Sequence, residues 1–226
     1  MIRVFLKYTG LLIILSVLYI SLDYLSPIEK IKIKNAQYED VKFFNVDGYE
    51  FRDLNKNNIL DAYEDHRLDS KVRTEDLLKK MTLEEKVGQM FHPPFTLNPD
   101  IWMLIYEIAI RGNQLTKSQI LFDNISHFNL YGNPSPENLA KEINNFQRVA
   151  SKTRLGIPVT ISSDPIHEVP KGGGVASFSV DGFSKWPSQL GFAATNDPAI
   201  VKEFAEIAKE EYLAVGIRTA LHPMSD

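Results

Sequence analysis

The sequence predicts an α/β fold built on a parallel sheet, and three observations carry that prediction. Residues 157–161 (IPVTI) are a run rich in β-branched side chains behind Gly156, a residue suited to the left-handed position that closes a helix. A helix therefore stops there and a buried strand begins. The same succession recurs at Gly216, where an amphipathic stretch ends and residues 217–221 (IRTAL) start a fresh strand. Strand and helix alternate over the second half of the chain at a spacing that fits right-handed crossovers.

At the end of the 157–161 strand the apolar run breaks into Ser162, Ser163, Asp164, Pro165 and His167. In parallel α/β folds the carboxyl ends of the strands are where side chains meet ligands. Two readings of these residues stand: part of a pocket wall, or an ordinary turn in which Asp164 bonds the following amides.

Composition narrows the classes. The 226 residues, 44% of them hydrophobic, suffice for one sizeable core, and a net charge of −4 does not indicate a nucleic-acid partner. The absence of cysteine excludes disulfides, thiolate metal sites and a cysteine nucleophile.

Taken in order, residues 1–27 have the pattern of a targeting segment, with Arg3 and Lys7 ahead of an apolar core at 10–22 (GLLIILSVLYISL). A removed signal peptide and an uncleaved membrane anchor are both open, because Tyr19 and Tyr24 precede the small residues Ser21 and Ser26 by two. Either way the remainder is expected to be exported: periplasmic, extracellular or membrane-anchored. Residues 28–50 read as a linker with one short strand. Within 51–65 (FRDLNKNNILDAYED), Asp53, Asn55 and Asn57 stand at positions one, three and five of a twelve-residue loop, with Asp61 at nine and Glu64 at twelve. That is the oxygen-ligand spacing of an EF-hand calcium loop, with Asn58 at the sixth position where glycine is usual. A structural Ca²⁺ and a solvated Asx-rich turn are the competing readings.

Residues 69–81 place Val72, Leu77, Leu78 and Met81 on one face of a surface helix. Thr82 and Glu85 form a capping box for a short second helix, and 87–91 (VGQMF) reads as the first strand of the sheet, with His92 and Pro93 at its end. His92 is read as satisfied by backbone groups rather than as facing a ligand. Residues 101–110 (IWMLIYEIAI) are apolar nearly all round and are expected to be buried. The next strand is 126–130. Residues 133–135 then cap a helix that starts at Pro136, runs to about Thr153, and turns Leu139, Ile143, Phe146 and Val149 inward. Residues 171–175 (KGGGV) lack the spacing of a phosphate loop and read as a surface loop. Asp197 and Pro198 open a last helix, with Ile200, Val201, Phe204, Ala208 and Tyr212 facing inward.

From about Phe51 onward the chain resembles glycoside hydrolase family 3, the β-glucosidase group. The likeness is carried by FRDLNKNNILDAYEDHR, VRTEDLLKKMTLEEKVGQM, NNFQRVASKTRLGIPVTISSDPIH and WPSQLGFAATNDPAIVKEFAEIAKEEYLAVGIRTALHP, four blocks in the family's order. The resemblance implies that 51–226 is the N-terminal half of a (β/α)8 TIM-type barrel. It also implies exo-acting hydrolysis of terminal β-D-glucosyl residues with retention, on a β-glucoside or oligosaccharide substrate and with no catalytic cofactor. It assigns Asp164 to the hydroxyls of the terminal sugar and His167 to the loop beside it, making both substrate-binding residues. The sequence departs from the family at Ile166 and Glu168, where Arg and Gly are common. Retaining hydrolysis needs two carboxyl groups about 5 Å apart. The resemblance places both beyond these residues, so this portion is expected to be inactive alone. The alternative is a truncated, non-catalytic carbohydrate-binding homologue.

Overall fold

The computed structural model describes residues 40–97, 116–132, 134–164, 166–167 and 182–221. The segments 1–27, 101–110, 171–175 and 222–226 read from the sequence lie outside the described residues.

The described chain opens with an antiparallel hairpin, β1 (Lys42–Val46) and β2 (Tyr49–Asp53), where the sequence reading had a linker and a single strand. The reason is the two-residue Asp47-Gly48 turn: both residues have positive φ, at 54° and 84°, the backbone twist that joins neighbouring strands most tightly. Helix α1 (Ser70–Lys80) follows, capped by Asp69, whose carboxylate accepts from the Lys71 amide. Its Val72 and Leu78 are exposed, so the inward face is narrower than the sequence stripe suggests.

Helix α2 (Leu83–Gly88) starts at the expected capping box, Thr82 accepting from the Glu85 amide and Glu85 accepting from Thr82 in return. It then runs through Val87 and Gly88, so the strand expected over 87–91 is absent and β3 is Pro94–Thr96. A short apolar run does not by itself distinguish helix from strand. Gly88 is required: a Cβ would lie 2.5 Å from the Asp123 carbonyl oxygen.

Helix α3 (Thr116–Phe122), β4 (His127–Tyr131), α4 (Pro136–Ala150), β5 (Thr160–Ser163), α5 (Gln189–Thr195), α6 (Pro198–Val215) and β6 (Ile217–Ala220) complete the described elements. The four strands β3 to β6 form one parallel sheet in chain order. Among the described residues no helix is long and apolar enough to cross a membrane.

The expected inner face of α4 buries Leu139, Ile143 and Phe146 against Phe128, Leu130, Ile161 and Ile217, which alternate along β4, β5 and β6. On α6, Phe204, Ala208 and Tyr212 are buried as the spacing predicts, while Val201 is turned outward and is exposed. Gly216 ends α6 at φ +94°, and a Cβ there would meet the Ile143 Cγ2 at 2.8 Å. Strand β5 begins later than residue 157 because Gln147 of α4 claims Val159: its Nε2 donates to the Val159 carbonyl at 2.6 Å and its Oε1 accepts from the Val159 amide at 3.0 Å. Ser162 and Ser163 consequently belong to the strand rather than to a turn.

Candidate functional site

Alternation sends Ile161 to the helix side of the sheet and Ser162 to the opposite face, beside Asn129 of β4, its partner in register. Asp164 follows β5 directly, so its carboxylate sits where the parallel strands end, as the sequence led us to expect. The Asn129 Nδ2 donates to Asp164 Oδ2 at 3.2 Å. The Ser162 hydroxyl donates to Asn129 Oδ1 at 2.7 Å and lies 2.8 Å from His92 Nε2. His92 is therefore engaged by a side chain of the sheet face that leads to Asp164, unlike the backbone satisfaction read from the sequence.

Helix α6 holds the segment after β5 from behind. The Tyr212 hydroxyl donates to the Asp164 carbonyl at 3.2 Å. One turn of the same helix brings Glu211 to His167, with Oε2 2.7 Å from the imidazole Nε2. Glu211 also accepts from the Ser184 amide at 2.9 Å and the Ser184 hydroxyl at 2.8 Å. Burial alone would raise the Glu211 pKa, but these donors from Ser184 and His167 outweigh it and hold the carboxyl below its ordinary value. His167 itself is 1% exposed, ringed by Phe183, Phe204 and Tyr212. Its place is thus inside the support of the loop, and the Trp186 amide donating to its carbonyl at 3.1 Å adds a further tie.

A second pair of imidazole and hydroxyl lies lower on the same sheet face. Ser126 contacts the Gln89 side chain and His127 Nδ1, and His127 is 6.2 Å from His92 between ring centroids. Burial first, and His92 second, push the His127 pKa down, which favours the neutral ring. Two apolar grooves lie elsewhere. One is bounded by Leu83, Val87, Phe91 and Phe122, the other by Val201, Phe204, Leu213 and Arg218.

The five residues of the calcium spacing come together in one loop, with Lys56 and Asn58 at φ +61° and +60°. Asp53 is fully buried and accepts from the Asn57 and Asn58 amides, both at 3.0 Å. Glu64 accepts from the Leu54 amide at 2.7 Å and the Asp61 amide at 3.0 Å. Asp61 takes the side-chain nitrogens of Asn55 and Asn57 at 2.6 and 2.7 Å, and Lys80 Nζ at 2.7 Å. Burial opposes ionisation of Asp61, yet Lys80 and the two amides keep its pKa below the ordinary value. In this arrangement the carboxylates are turned onto the loop's own amides and Lys80. Among the described residues no three His, Cys, Asp or Glu side chains are grouped to hold a metal ion.

The parallel βα succession is consistent with the resemblance, and comparison with known proteins settles the class. Residues 82–226 match the glycosyl hydrolase family 3 N terminal domain, and the chain belongs to that family. It is 46% identical over 160 residues to beta-glucosidase C of Emericella nidulans, a match covering 70% of this chain and 24% of that protein. It is 41% identical over 175 residues to a probable beta-glucosidase C of Aspergillus oryzae, covering 76% of this chain and 26% of that protein. It is 40% identical over 183 residues to a periplasmic beta-glucosidase/beta-xylosidase of Dickeya chrysanthemi, covering 80% and 27%. The chain thus spans about a quarter of the length of the curated relatives it matches. Asp164 and His167 fall within the matched domain, whereas the loop from Asp53 to Glu64 precedes it.

Of the side chains that contact Asp164 and the segment around His167, sequence reasoning passes over Asn129, Ser184 and Glu211 and reads Tyr212 only as inward-facing. Nothing local marks them, since Asn129 sits 35 residues from Asp164 and Glu211 sits 44 from His167.

Proposed function

We propose that this chain is part of an exported exo-acting β-glucosidase that removes terminal β-D-glucosyl residues with retention of configuration. The observation that carries the reading is the Asp164 carboxylate at the carboxyl end of β5, ordered by Asn129 on one side and by Tyr212 through its backbone on the other. A carboxylate so placed accepts hydrogen bonds from adjacent hydroxyls of a terminal sugar, each strengthened by the charge. In this proposal Asp164 orients the glycone, His167 and Glu211 hold its loop, and the sheet is one part of a (β/α)8 barrel. The reacting pair, a nucleophile and an acid/base about 5 Å apart, is contributed from outside these residues.

Export is supported by the pattern of residues 1–27 and by a relative named as periplasmic. Membrane attachment through that segment belongs to the same proposal. The Asp53 to Glu64 loop is proposed, on the spacing of its oxygens, to take up Ca²⁺ as a structural ion, with Asp53, Asn55, Asn57, Asp61 and Glu64 turning to the ion from the amides and Lys80 they now engage.

The test is to assay the complete gene product on a panel of aryl β-glycosides, following the anomer first released by NMR. β-Glucose appearing before its α anomer is expected. Asp164→Ala removes about two charge-assisted hydrogen bonds, about 3–6 kcal/mol, so kcat/KM should fall about a hundred- to ten-thousandfold. Unchanged kinetics in that variant would remove Asp164 from the site. No turnover of any glycoside by the wild type would remove the activity.

A further inference from the structure

We propose that His92, Ser162 and Asn129 form a hydrogen-bonded relay that sets the rotamer of Asp164, so that Asn129 and Ser162 are positioning residues for glycone recognition. The inference rests on the sugar-binding role given to Asp164 above. Its basis is the order of the bonds.

Ser162 is fully buried and its hydroxyl has a single proton. The acceptors within reach are Asn129 Oδ1 at 2.7 Å, the Phe128 carbonyl at 3.4 Å and, in one tautomer, His92 Nε2 at 2.8 Å. The Asp164 carboxylate can only accept, so it takes the Asn129 NH₂ and turns the Asn129 oxygen to Ser162; the Ser162 proton goes to that oxygen, which leaves the Ser162 oxygen as acceptor toward His92. At 2.8 Å the His92 Nε2 must then carry hydrogen and donate. The Asn129 NH₂ donates to Asp164 Oδ2 at 3.2 Å. The members thus fix one another's orientation, from the segment before β3, across β5 and β4, to the acid after β5.

The donor also chooses between carboxylate oxygens. Because Asn129 takes Oδ2, the Asp164 side chain is fixed about its last torsion, which is otherwise broad and roughly two-fold. The Tyr212 hydroxyl holds the backbone of the same residue at its carbonyl, so the carboxylate is constrained at both ends. Preorganisation of this kind reduces the cost of ordering the acid when a sugar binds, so its loss should appear in binding of substrate and transition state alike.

The test uses the complete gene product, an aryl β-glucoside and a double-mutant cycle. Asn129→Leu is expected to lower kcat/KM about ten- to a hundredfold, mainly through KM, as befits loss of a hydrogen bond to a charged group. In an Asp164→Asn background the same substitution should cost less than about threefold, because the relay acts through that acid. A crystal structure of the Asn129→Leu protein should show the residue 164 carboxylate rotated. Full additivity of the two substitutions, or an unmoved carboxylate, would overturn the proposal. Ser162→Ala provides the same readings should Asn129→Leu fail to fold, with a loss of about three- to tenfold expected. If the wild type hydrolyses no glucoside, the glycosidase reading fails by itself. The relay is then judged by the carboxylate position alone.

Discussion

Replacing Glu211 by Gln probes the buttress behind the site and has a signature in pH. In the wild-type structure the carboxylate accepts from His167 Nε2, the Ser184 amide and the Ser184 hydroxyl, at 2.7 to 2.9 Å. Gln keeps an oxygen for the Ser184 amide but presents NH₂ to the remaining donors, so one or two charge-assisted bonds are lost. At 28% side-chain exposure solvent screens them only in part, and the expected cost is about 1–3 kcal/mol. For a chain of this size that corresponds to a fall in Tm of about 2–12 °C at neutral pH. The sign with pH follows from the depressed Glu211 pKa, which lies below the ordinary 4.5. A carboxyl with a lower pKa folded than unfolded contributes its stability above the unfolded value and loses it as pH falls through the folded value. The gap between wild type and Glu211→Gln should therefore be widest above the ordinary carboxyl value of 4.5 and close as pH falls through the depressed folded value. Thermal melts of both proteins across that range measure it directly. A gap of constant size, or one that widens in acid, would refute the electrostatic account of the buttress.

Gly216→Ala forces a Cβ onto a residue at φ +94° and to 2.8 Å from Ile143 Cγ2. Strain of about 1–2 kcal/mol plus overpacking of about 1–3 kcal/mol should lower stability by about 2–5 kcal/mol in urea unfolding, and an unchanged midpoint would contradict that packing. Calcium should raise the Tm of the wild type if the Asp53 to Glu64 loop takes the ion. Lys80→Ala should shift the half-saturating calcium concentration lower, because Lys80 Nζ sits 2.7 Å from Asp61 Oδ1 and competes as a cation. A chelator without effect on Tm would retire the loop as a calcium site.

Much of the scaffold was legible because it is encoded over short distances. Leu139, Ile143 and Phe146 recur at helical spacing, Pro136 and Ser135 mark the start of their helix, and Gly216 marks the end of the last. The strand expected over 87–91 was misread for the converse reason. Its apolar residues suit either element, and α2 takes Val87 and Gly88 while Gln89 caps it, leaving the strand to Pro94–Thr96. The hairpin at Asp47-Gly48 had a local signal that a linker reading passed over.

Alone, then, the sequence determined the alternation of strand and helix, the polar mouth at Asp164 and the family, since each is written in neighbouring residues or in ordered blocks of them. Only the tertiary structure decided which partners those mouth residues meet. It drew His167 into an aromatic pocket under Glu211, and it placed Asn129, Ser162 and His92 in line behind Asp164. The physical reason is that a hydrogen bond depends on distance in space, and partners as far apart as the 70 residues between His92 and Ser162 meet only once the strands are laid side by side.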